Sequence, residues 1–314
     1  MRRVEDAAEL IDVLDATDAA TFRMLGDLEE RGIGGQVRGW RAEHADGRTA
    51  GALTVGELCR DRWYAGVIVF DDQAAAPLAH ALMASPAWEV SGATEHVKPL
   101  VPHLTRLHSV TSAPWSVVPE LDVEVPDGLI PPPDPRCRLA TADDLPALVD
   151  LYSHYELEAI PTRPRLRAYL ERTLAHRPIL VGEVDGAVVA GYRVEFMSSR
   201  YAYWSGLTVL PSHRRLHLGS GLNWEAVSVT RNLGRGLITT TAASNPMQLR
   251  PDSEVRRQQR GVAAEHGWTM GEWVKVRLGP PQRFPGHHYL RRIREIAEGP
   301  VRRREKGPDM RPAP

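Results

Sequence analysis

The stretch TVLPSHRRLHLGSGLNWE, residues 208–225, decides how this sequence is interpreted. It begins as the apolar end of a strand and passes through two arginines and two histidines into a helix. A turn of this kind aims the unpaired N–H groups of a helix start at whatever lies above them. Arg214 and Arg215 add donors that suit a diphosphate, while Gly219 and Gly221 permit close approach. Taken alone, the loop fits an anion site and an ordinary connection with exposed arginines equally well.

Composition excludes several classes of function. The chain has 314 residues and a formal net charge of -1, with 39 basic and 40 acidic side chains, which gives no indication of a nucleic-acid partner. Its cysteines, Cys59 and Cys137, are too few for a metal site built on thiolates, and no metal is expected. The N-terminus does not resemble a signal peptide, and no apolar run is long enough to cross a membrane. We therefore expect a cytoplasmic protein without a membrane partner, as a monomer or homodimer.

A proline-rich segment divides the chain. Five prolines fall within residues 124–137, where they disfavour both helix and central strand. The sequence therefore predicts a first unit over residues 1–123, a linker over 124–135, a second unit over 136–298 and a disordered tail over 299–314.

The two units share a pattern of predicted elements. In the second unit this pattern is strand, two helices, three strands, helix, strand, helix, strand. Its clearest local signals are the capping box TADD, residues 141–144, and the hairpin dipeptide at residues 185–186. Sliding the chain by 140 residues superposes residues 50–51 on 190–191, both Ala-Gly. This internal duplication predicts an α/β (α+β) protein of two tandem units, each with a mixed central sheet flanked by helices.

The two copies differ after the shared strand. Where the second copy has its arginine- and glycine-containing loop, the first has FDDQAAAPLAHAL, which carries Asp71 and Asp72 and lacks glycine. Carboxylates repel phosphate, whereas N–H groups and guanidinium groups attract it. We therefore expect an anionic cofactor in the second half alone.

The span 209–222, V-x-P-x-x-R-x-x-H-x-G-x-G-L, resembles the coenzyme A loop of the GNAT acyltransferase superfamily. The signature of that loop is [RQ]-x-x-G-x-[GA] just before a helix, with Arg214 at its first position and Gly219 at its last. The resemblance covers residues 136–278, and a degenerate version covers the first half. His217 departs from it by replacing the first glycine. We expect a negative φ there, with the histidine N–H still presented to the diphosphate and the imidazole as a further donor to a phosphate oxygen. A positive φ would strain His217 and weaken the cofactor assignment.

The resemblance implies acetyl- or longer acyl-coenzyme A as co-substrate, with its pantetheine arm between two strands that splay apart. Gly206 is expected at a bulge in one of them. Asn245 is expected to contact the arm, or else to cap a helix before Pro246. The cofactor-binding residues that the resemblance implies are Leu207, Val209, Arg214, Arg215, His217, Leu218, Gly219, Ser220, Gly221 and Asn245.

The proton-transfer groups are less well defined. Many members of the superfamily have a glutamate on the fourth strand, and Tyr203 stands at its place here. The catalytic candidates are Tyr203, Glu195 on the preceding strand and His213 beside the loop. A water-mediated route is a further alternative, and so is a solvent-facing role for Glu195. The last helix lacks the tyrosine that often serves as the acid, and His266 is its only group that titrates near neutral pH.

Acceptor and function follow from the same resemblance. Glu156, Glu158 and Trp204 are expected to contact the acceptor, unless the two glutamates belong to a solvated helix end. The tandem pattern is similar to mycothiol synthases and to enzymes that N-acylate the aminosugar of teicoplanin-type glycopeptides. This implies an acyl-coenzyme A-dependent N-acyltransferase acting on a small-molecule amine, such as an aminosugar in antibiotic biosynthesis. The alternative is a non-catalytic sensor that binds acyl-coenzyme A.

Overall fold

The structure is a computed structural model that describes residues 1–14, 18–59, 62–117, 132–153, 160, 162–240 and 269–278. Its strands are β1 (Arg2–Val4), β2 (Val37–Glu43), β3 (Thr49–Cys59), β4 (Arg62–Val69), β5 (Glu89–Ala93), β6 (Leu107–Val117), β7 (Cys137–Leu139), β8 (Ile179–Val184), β9 (Ala187–Met197), β10 (Tyr201–Val209), β11 (Gly236–Thr240) and β12 (Thr269–Leu278). Its helices are α1 (Ala8–Ile11), α2 (Phe22–Arg31), α3 (Ala75–Ala84), α4 (Thr94–Val97), α5 (Leu145–Ser153), α6 (Arg163–His176) and α7 (Leu218–Asn232).

Local sequence signals produce the local structure that they predict. Thr141 and Asp144 form the capping box, which opens a 3-10 turn that leads into α5. Asp185 and Gly186 both take positive φ, 52° and 77°, and join β8 to β9 by a two-residue hairpin turn. These elements depend on contacts within a few residues, so the sequence is sufficient to predict them.

The sheet confirms the predicted α/β fold class and adds a connection that the sequence does not reveal. Both halves contribute to one sheet with the order β1-β2-β3-β4-β5-β12-β6-β11-β10-β9-β8-β7. The last strand of the chain, β12, lies between β5 and β6, and β6 in turn lies between β12 and β11. Each half therefore places its final strand against the sheet of the other half. The predicted unit boundaries stay a prediction.

Core packing also crosses between the halves. Three side chains of β12, Val274, Val276 and Leu278, belong to the buried apolar core of the first half. Helix α2 of the first half lies on β9 of the second, so closely that a Cβ at Gly26 would come 3.2 Å from the Met197 carbonyl oxygen. The two halves are thus joined by backbone pairing and by shared apolar burial, which is the dominant favourable term in folding.

The described residues show the state of the two cysteines and the character of the helices. Cys59 and Cys137 are both buried and carry no disulfide. No helix in the described ranges combines the length and the apolar character needed to cross a membrane.

Candidate active site

The edge of β10 beyond Trp204 has no partner among the described strands, and we call this edge the slot. Strands β10 and β11 run parallel and pair from Tyr201 opposite Gly236 to Trp204 opposite Thr239. Beyond Trp204, β10 continues to its end without a described strand on that edge. The register against β9 shifts between Ser205 and Thr208, and Gly206 has a φ of 66°. The predicted bulge at Gly206 is therefore present, and it stands at the start of the slot.

The loop after β10 leads from the slot to the start of α7. A 3-10 turn over Pro211–His213 precedes Arg214 and Arg215, whose side chains are exposed. Arg214 Nε donates to the Val209 carbonyl at 3.4 Å, which ties this side chain to the end of β10. The first N–H groups of α7, like those of any helix, lack an acceptor within the helix, and the side chain of the N-cap residue His217 does not bond to them. This surface offers backbone donors and positive charge, as an anion site requires.

His217 adopts a conformation that differs from the prediction. Its φ is 61° and its ψ 9°, in the left-handed region, so the expected negative φ is wrong. Histidine is among the residues that enter this region more often than most, at a cost of roughly 1–2 kcal/mol. His217 is therefore strained in a conformation that favours glycine, and this strain counts against the loop as a cofactor site.

The other residues predicted to bind the cofactor around the start of α7 fall into two groups, those that face solvent and those that face the protein interior. Gly219 lies on the open side, where a Cβ would come no closer than 3.9 Å to Leu207, and Ser220 is exposed. The side chain of Leu218 is buried in the core beneath α7, which leaves only its backbone for a ligand. A Cβ at Gly221 would lie 3.0 Å from Asp134 Oδ2, and the Gly221 N–H already donates to His217. This packing argues against a ligand contact at Gly221, and Asn245 lies outside the described residues.

The corresponding place in the first half is occupied by the chain itself. Strands β4 and β5 part after Gly66, and α4 follows β5 directly. His96 Nδ1 lies 3.3 Å from the backbone nitrogen of Val69 at the end of β4. In the following turn, Asp71 Oδ1 accepts the Gln73 N–H at 2.8 Å. In the first half, the His96 imidazole and the Asp71 carboxylate thus contact the backbone N–H groups of Val69 and Gln73. The equivalent backbone groups of the second half lie beside the slot.

Glu195 reaches β10 from the neighbouring strand β9, which pairs with the edge of β10 opposite to the slot. A register shift leaves Glu195 without a partner, because Phe196 pairs with Tyr203 and Val194 pairs with Trp204. At this second bulge the Glu195 carboxylate accepts a 2.6 Å hydrogen bond from the hydroxyl of Ser205. The fourth strand has no carboxylate of its own, and the bulge on β9 brings one to Ser205 of that strand.

Glu195 is surrounded by positive charge. Its burial raises the pKa of the carboxyl, but the charges of Arg23, Arg193 and Lys275 and the Ser205 hydrogen bond outweigh burial. The pKa of Glu195 therefore lies below its ordinary value of 4.5, and the group is ionised at neutral pH. Arg23 comes from α2 and Lys275 from β12, so the first half and the exchanged strand both contribute. Sequence reasoning missed all three cations, since no local pattern marks them.

Arg193 lies directly against the bulge. Only 4% of this residue is exposed, and its guanidinium carbon lies 4.7 Å from the centre of the Tyr152 ring. Its Nε donates to the Tyr169 hydroxyl at 3.3 Å. A Cβ at Gly206 would overlap the Arg193 guanidinium. Position 206 therefore requires glycine for two reasons, its positive φ and the closeness of this side chain.

The double requirement at Gly206 has a measurable consequence. Gly234 has the same φ of 66° but nothing within 4 Å of its Cβ position, so Gly234→Ala tests the backbone cost alone. We expect that cost to be about 1–2 kcal/mol, and Gly206→Ala to cost about 1–3 kcal/mol more because Arg193 must move. Urea denaturation of the two variants provides the comparison. Equal losses of unfolding free energy would contradict the packing of Arg193 against the bulge.

Other predicted site residues fall elsewhere. Trp204 is fully buried under α7, with its Nε1 donating to Thr230 Oγ1 at 2.7 Å, which argues against contact with an acceptor. Tyr203 points to the opposite face, packs on Phe22 with ring centroids 4.9 Å apart and is only 5% exposed. His213 lies in the turn after β10 with Nδ1 2.9 Å from Ser212 Oγ, and no contact recorded for the described residues joins it to Glu195. The predicted residues Glu156, Glu158 and His266 lie outside the described residues.

Comparison with known proteins finds a family model that matches part of the chain. Residues 145–249 match the family model described as acetyltransferase (GNAT) family. The match covers about a third of the chain and includes β8 to β11, α7 and the loop before it. A search of curated proteins finds no match.

Solved structures agree with the fold over most of the chain. A Drosophila protein matches with a TM-score of 0.54 at 14% identity, over 88% of this chain and 97% of its own. A GCN5-related N-acetyltransferase from Sphaerobacter thermophilus gives 0.52 at 14% identity, over 82% and 86%. A tandem GNAT protein from the clavulanic acid biosynthesis pathway gives 0.51 at 14% identity, over 87% and 95%. At these identities the likeness shows the fold alone.

Proposed function

We propose, from the match of residues 145–249 to the GNAT acetyltransferase family, that the protein is an N-acyltransferase. It moves an acetyl or longer acyl group from coenzyme A to the amine of a small molecule. One observation carries the proposal: from the bulge at Gly206 to the start of α7, the edge of β10 has no partner among the described strands. Glu195 is bonded to Ser205 of the same strand.

The residues along the slot fit acyl-coenzyme A. The edge of β10 around Leu207, which is 39% exposed, suits an extended arm that pairs with a strand. At the far end, the N–H groups of Gly219 and Ser220 suit phosphate oxygens. Arg214 and Arg215 supply charge-assisted donors for a diphosphate. The slot thus has apolar and backbone contacts along its length and positive charge at its end.

The chemistry divides between the co-substrate and the chain. Acyl-coenzyme A supplies a thioester, so that a C–N bond forms to its carbonyl carbon and the C–S bond breaks. The sulfur leaves as a thiol, with the second proton that the nitrogen loses once it has attacked. Glu195 takes the proton that the acceptor's ammonium must lose before its nitrogen attacks. Ser205 holds the Glu195 carboxylate towards β10. Arg193, against the bulge, places a positive charge where negative charge on the carbonyl oxygen is stabilised.

The acceptor that we propose is a small-molecule amine. The resemblance to enzymes that act on aminosugars supports an aminosugar of a natural product as acceptor. Glu156 and Glu158, which are expected to contact it, lie outside the described ranges. The first half takes part in the acceptor cleft, because Phe22 and Arg23 at the start of α2 pack onto β9 and β10. We retain a small-molecule amine as the acceptor, with a cytoplasmic monomer or homodimer as the working form.

The alternative function is a sensor that binds acyl-coenzyme A without turnover. The residue that favours it is Tyr203, which occupies the place where many members of the superfamily have a glutamate. The hydrogen bond between Glu195 and Ser205 supports the enzyme instead, because it brings a carboxylate to the same strand.

Both functions are tested by one experiment. We expect acetyl-coenzyme A to bind, and free thiol to be released when a panel of amines is added. In the double variant Arg214→Ala with Arg215→Ala, we expect the binding free energy of acetyl-coenzyme A to weaken by about 2–4 kcal/mol. Calorimetric titration and a thiol assay measure these two quantities. The double variant Arg3→Ala with Arg48→Ala removes the same charge from exposed positions in the first half and serves as the control. Binding without turnover favours the sensor, and unchanged affinity in the Arg214 and Arg215 variant contradicts the loop assignment.

A further inference from the structure

The backbone of β9 at Glu195 has no partner residue among the described strands on either edge. Towards β10, Glu195 is the extra residue of the bulge described above. Towards β8, the pairing ends with Ile179 opposite Arg193, two residues before Glu195. A bulge leaves its extra residue outside the regular ladder of hydrogen bonds. The direction of the Glu195 side chain therefore depends on contacts other than strand pairing.

Arg177 makes such a contact from the connection between α6 and β8. Its backbone N–H ends α6 by donating to the Thr173 carbonyl at 2.7 Å. Its side chain extends to β9, where Nη1 donates to the Glu195 carbonyl. The carbonyl group and the side chain of Glu195 are attached to the same Cα atom. A bond that fixes the carbonyl therefore restricts the directions in which the carboxylate can point.

Glu30 of the first half holds the rest of the Arg177 guanidinium. Glu30 Oε2 accepts from Arg177 Nε at 2.9 Å, and Oε1 accepts from Nη2 at 2.6 Å. This two-point geometry fixes the plane of the guanidinium as well as its position. The two side chains are only 11% and 26% exposed, so water screens them less than it screens a surface ion pair. The Arg177 side chain thus makes two bonds to the first half and one to the Glu195 bulge.

Helix α2, which carries Glu30, is itself fixed on β9 and on the turn that follows it. Gly26 lies against the Met197 carbonyl. Glu29 accepts from the Ser199 hydroxyl at 2.8 Å and also from the Ser199 N–H. The carboxylate of the next residue, Glu30, therefore starts from a helix whose position against the second half is set by several contacts.

We propose that Arg177 is a positioning residue for the Glu195 base, oriented in turn by Glu30 of the first half. This inference rests on the proposed function and identifies how the first half acts on its base. Arg177 bonds to the Glu195 backbone, whereas the Glu195 carboxylate bonds to Ser205. Arg177 therefore sets the direction of the carboxylate and takes no part in proton transfer. A base displaced from the acceptor amine costs rate without a matching cost in substrate affinity.

The first test removes the Arg177 guanidinium with and without the carboxylate on which it acts. We expect Arg177→Met to lower kcat, counted per site that binds acetyl-coenzyme A, by about 10- to 30-fold and to leave the acceptor KM within about threefold. In the Glu195→Gln background the same substitution should lower kcat by less than about twofold, because no base is left to displace. A merely structural role lowers kcat by the same factor in both backgrounds. A thiol assay with the best amine acceptor measures these values.

Two milder variants keep the test valid if Arg177→Met folds poorly. Glu30→Gln removes the charge that orients the guanidinium and should lower kcat by about 3- to 5-fold, again only while Glu195 is present. Arg177→Lys keeps the charge but has a single nitrogen in place of the planar fork. This variant should recover part of the kcat that is lost in Arg177→Met.

Each substitution has a matched control in the same helix. Arg172 on α6 also donates to a backbone carbonyl of the first half, that of Leu58, away from the bulge. Glu29 on α2 also bonds to the second half, at Ser199. Arg172→Met and Glu29→Gln should unfold at a slightly lower temperature than wild type and keep kcat within about twofold.

The possible failures are distinguishable. If Arg177→Met lowers kcat equally in both backgrounds, or no more than Arg172→Met does, the positioning role is wrong and the acyltransferase function stands. Near wild-type turnover in Glu195→Gln also contradicts the positioning role, because Glu195 is then not the base. If the wild-type protein binds acetyl-coenzyme A but releases thiol with no amine, the proposed function itself fails, and the positioning role fails with it.

Discussion

Glu195→Gln should lower kcat by about 100- to 1,000-fold and leave the dissociation constant of acetyl-coenzyme A within about twofold of wild type. Glutamine still accepts the Ser205 hydrogen bond through its amide oxygen, so the geometry at the second bulge is retained. What it loses is the negative charge and the ability to take a proton from the acceptor. Thiol release at saturating acceptor and a separate binding titration distinguish the two effects.

A matched substitution controls for lost stability. Glu183→Gln removes a carboxylate on β8 that is paired with Arg138, and it lies on the same sheet away from Glu195. Each variant removes a negative charge that offsets neighbouring cations, namely Arg138 beside Glu183 and Arg23 and Arg193 near Glu195. Both variants should therefore unfold at a slightly lower temperature than wild type. Only Glu195→Gln should lose turnover. Turnover within about threefold of wild type in Glu195→Gln would transfer the base role to His213 or to a water-mediated route.

The pH dependence follows from the direction of the Glu195 pKa. Arg23, Arg193, Lys275 and the Ser205 hydroxyl lower it more than burial raises it, and the nearby phenols Tyr64 and Tyr169 are neutral in this range. A carboxyl whose pKa is depressed by folding contributes stability above its unfolded pKa and loses it as pH falls through the folded value. Glu195 therefore stays ionised down to below pH 4.5, and activity changes near neutral pH report the acceptor amine.

A chain divided between its two halves should fold only when both pieces are present. Separation within residues 118–131 leaves β6 on one piece and both of its neighbours, β11 and β12, on the other. It also takes Val274, Val276 and Leu278 from the core of the first half. Burial of three such side chains contributes roughly 5–9 kcal/mol, comparable with the net stability of a domain.

Circular dichroism and size-exclusion chromatography of residues 1–117, residues 132–314 and their mixture measure this dependence. We expect each piece alone to lack a cooperative unfolding transition and to bind no acetyl-coenzyme A, and the mixture to co-elute and recover both. A full chain cut at a protease site placed within residues 118–131 after folding is the matched control and should stay assembled. Cooperative unfolding and cofactor binding by residues 132–314 alone would show that the exchange of β12 is dispensable.

Sequence by itself determined the features that depend on neighbours along the chain. The capping box at Thr141, the turn at Asp185 and the bulge at Gly206 all follow from residue types whose preferences act over a few positions. The loop with Arg214 and Arg215 was predicted for the same reason, as were the duplication and the order of the described elements. The helix predicted between β11 and β12 lies outside the described residues.

Only the tertiary structure decided which distant residues meet. No local preference marks the pairing of Lys275 with Ser91, because a strand's partner is chosen by long-range burial and register. The inward direction of Trp204 depends on the pleat between two bulges, and Glu195 reaches Ser205 only because one bulge displaces it. The charge of the site is likewise a tertiary property, since Coulomb interactions depend on distance in space and not on separation in sequence.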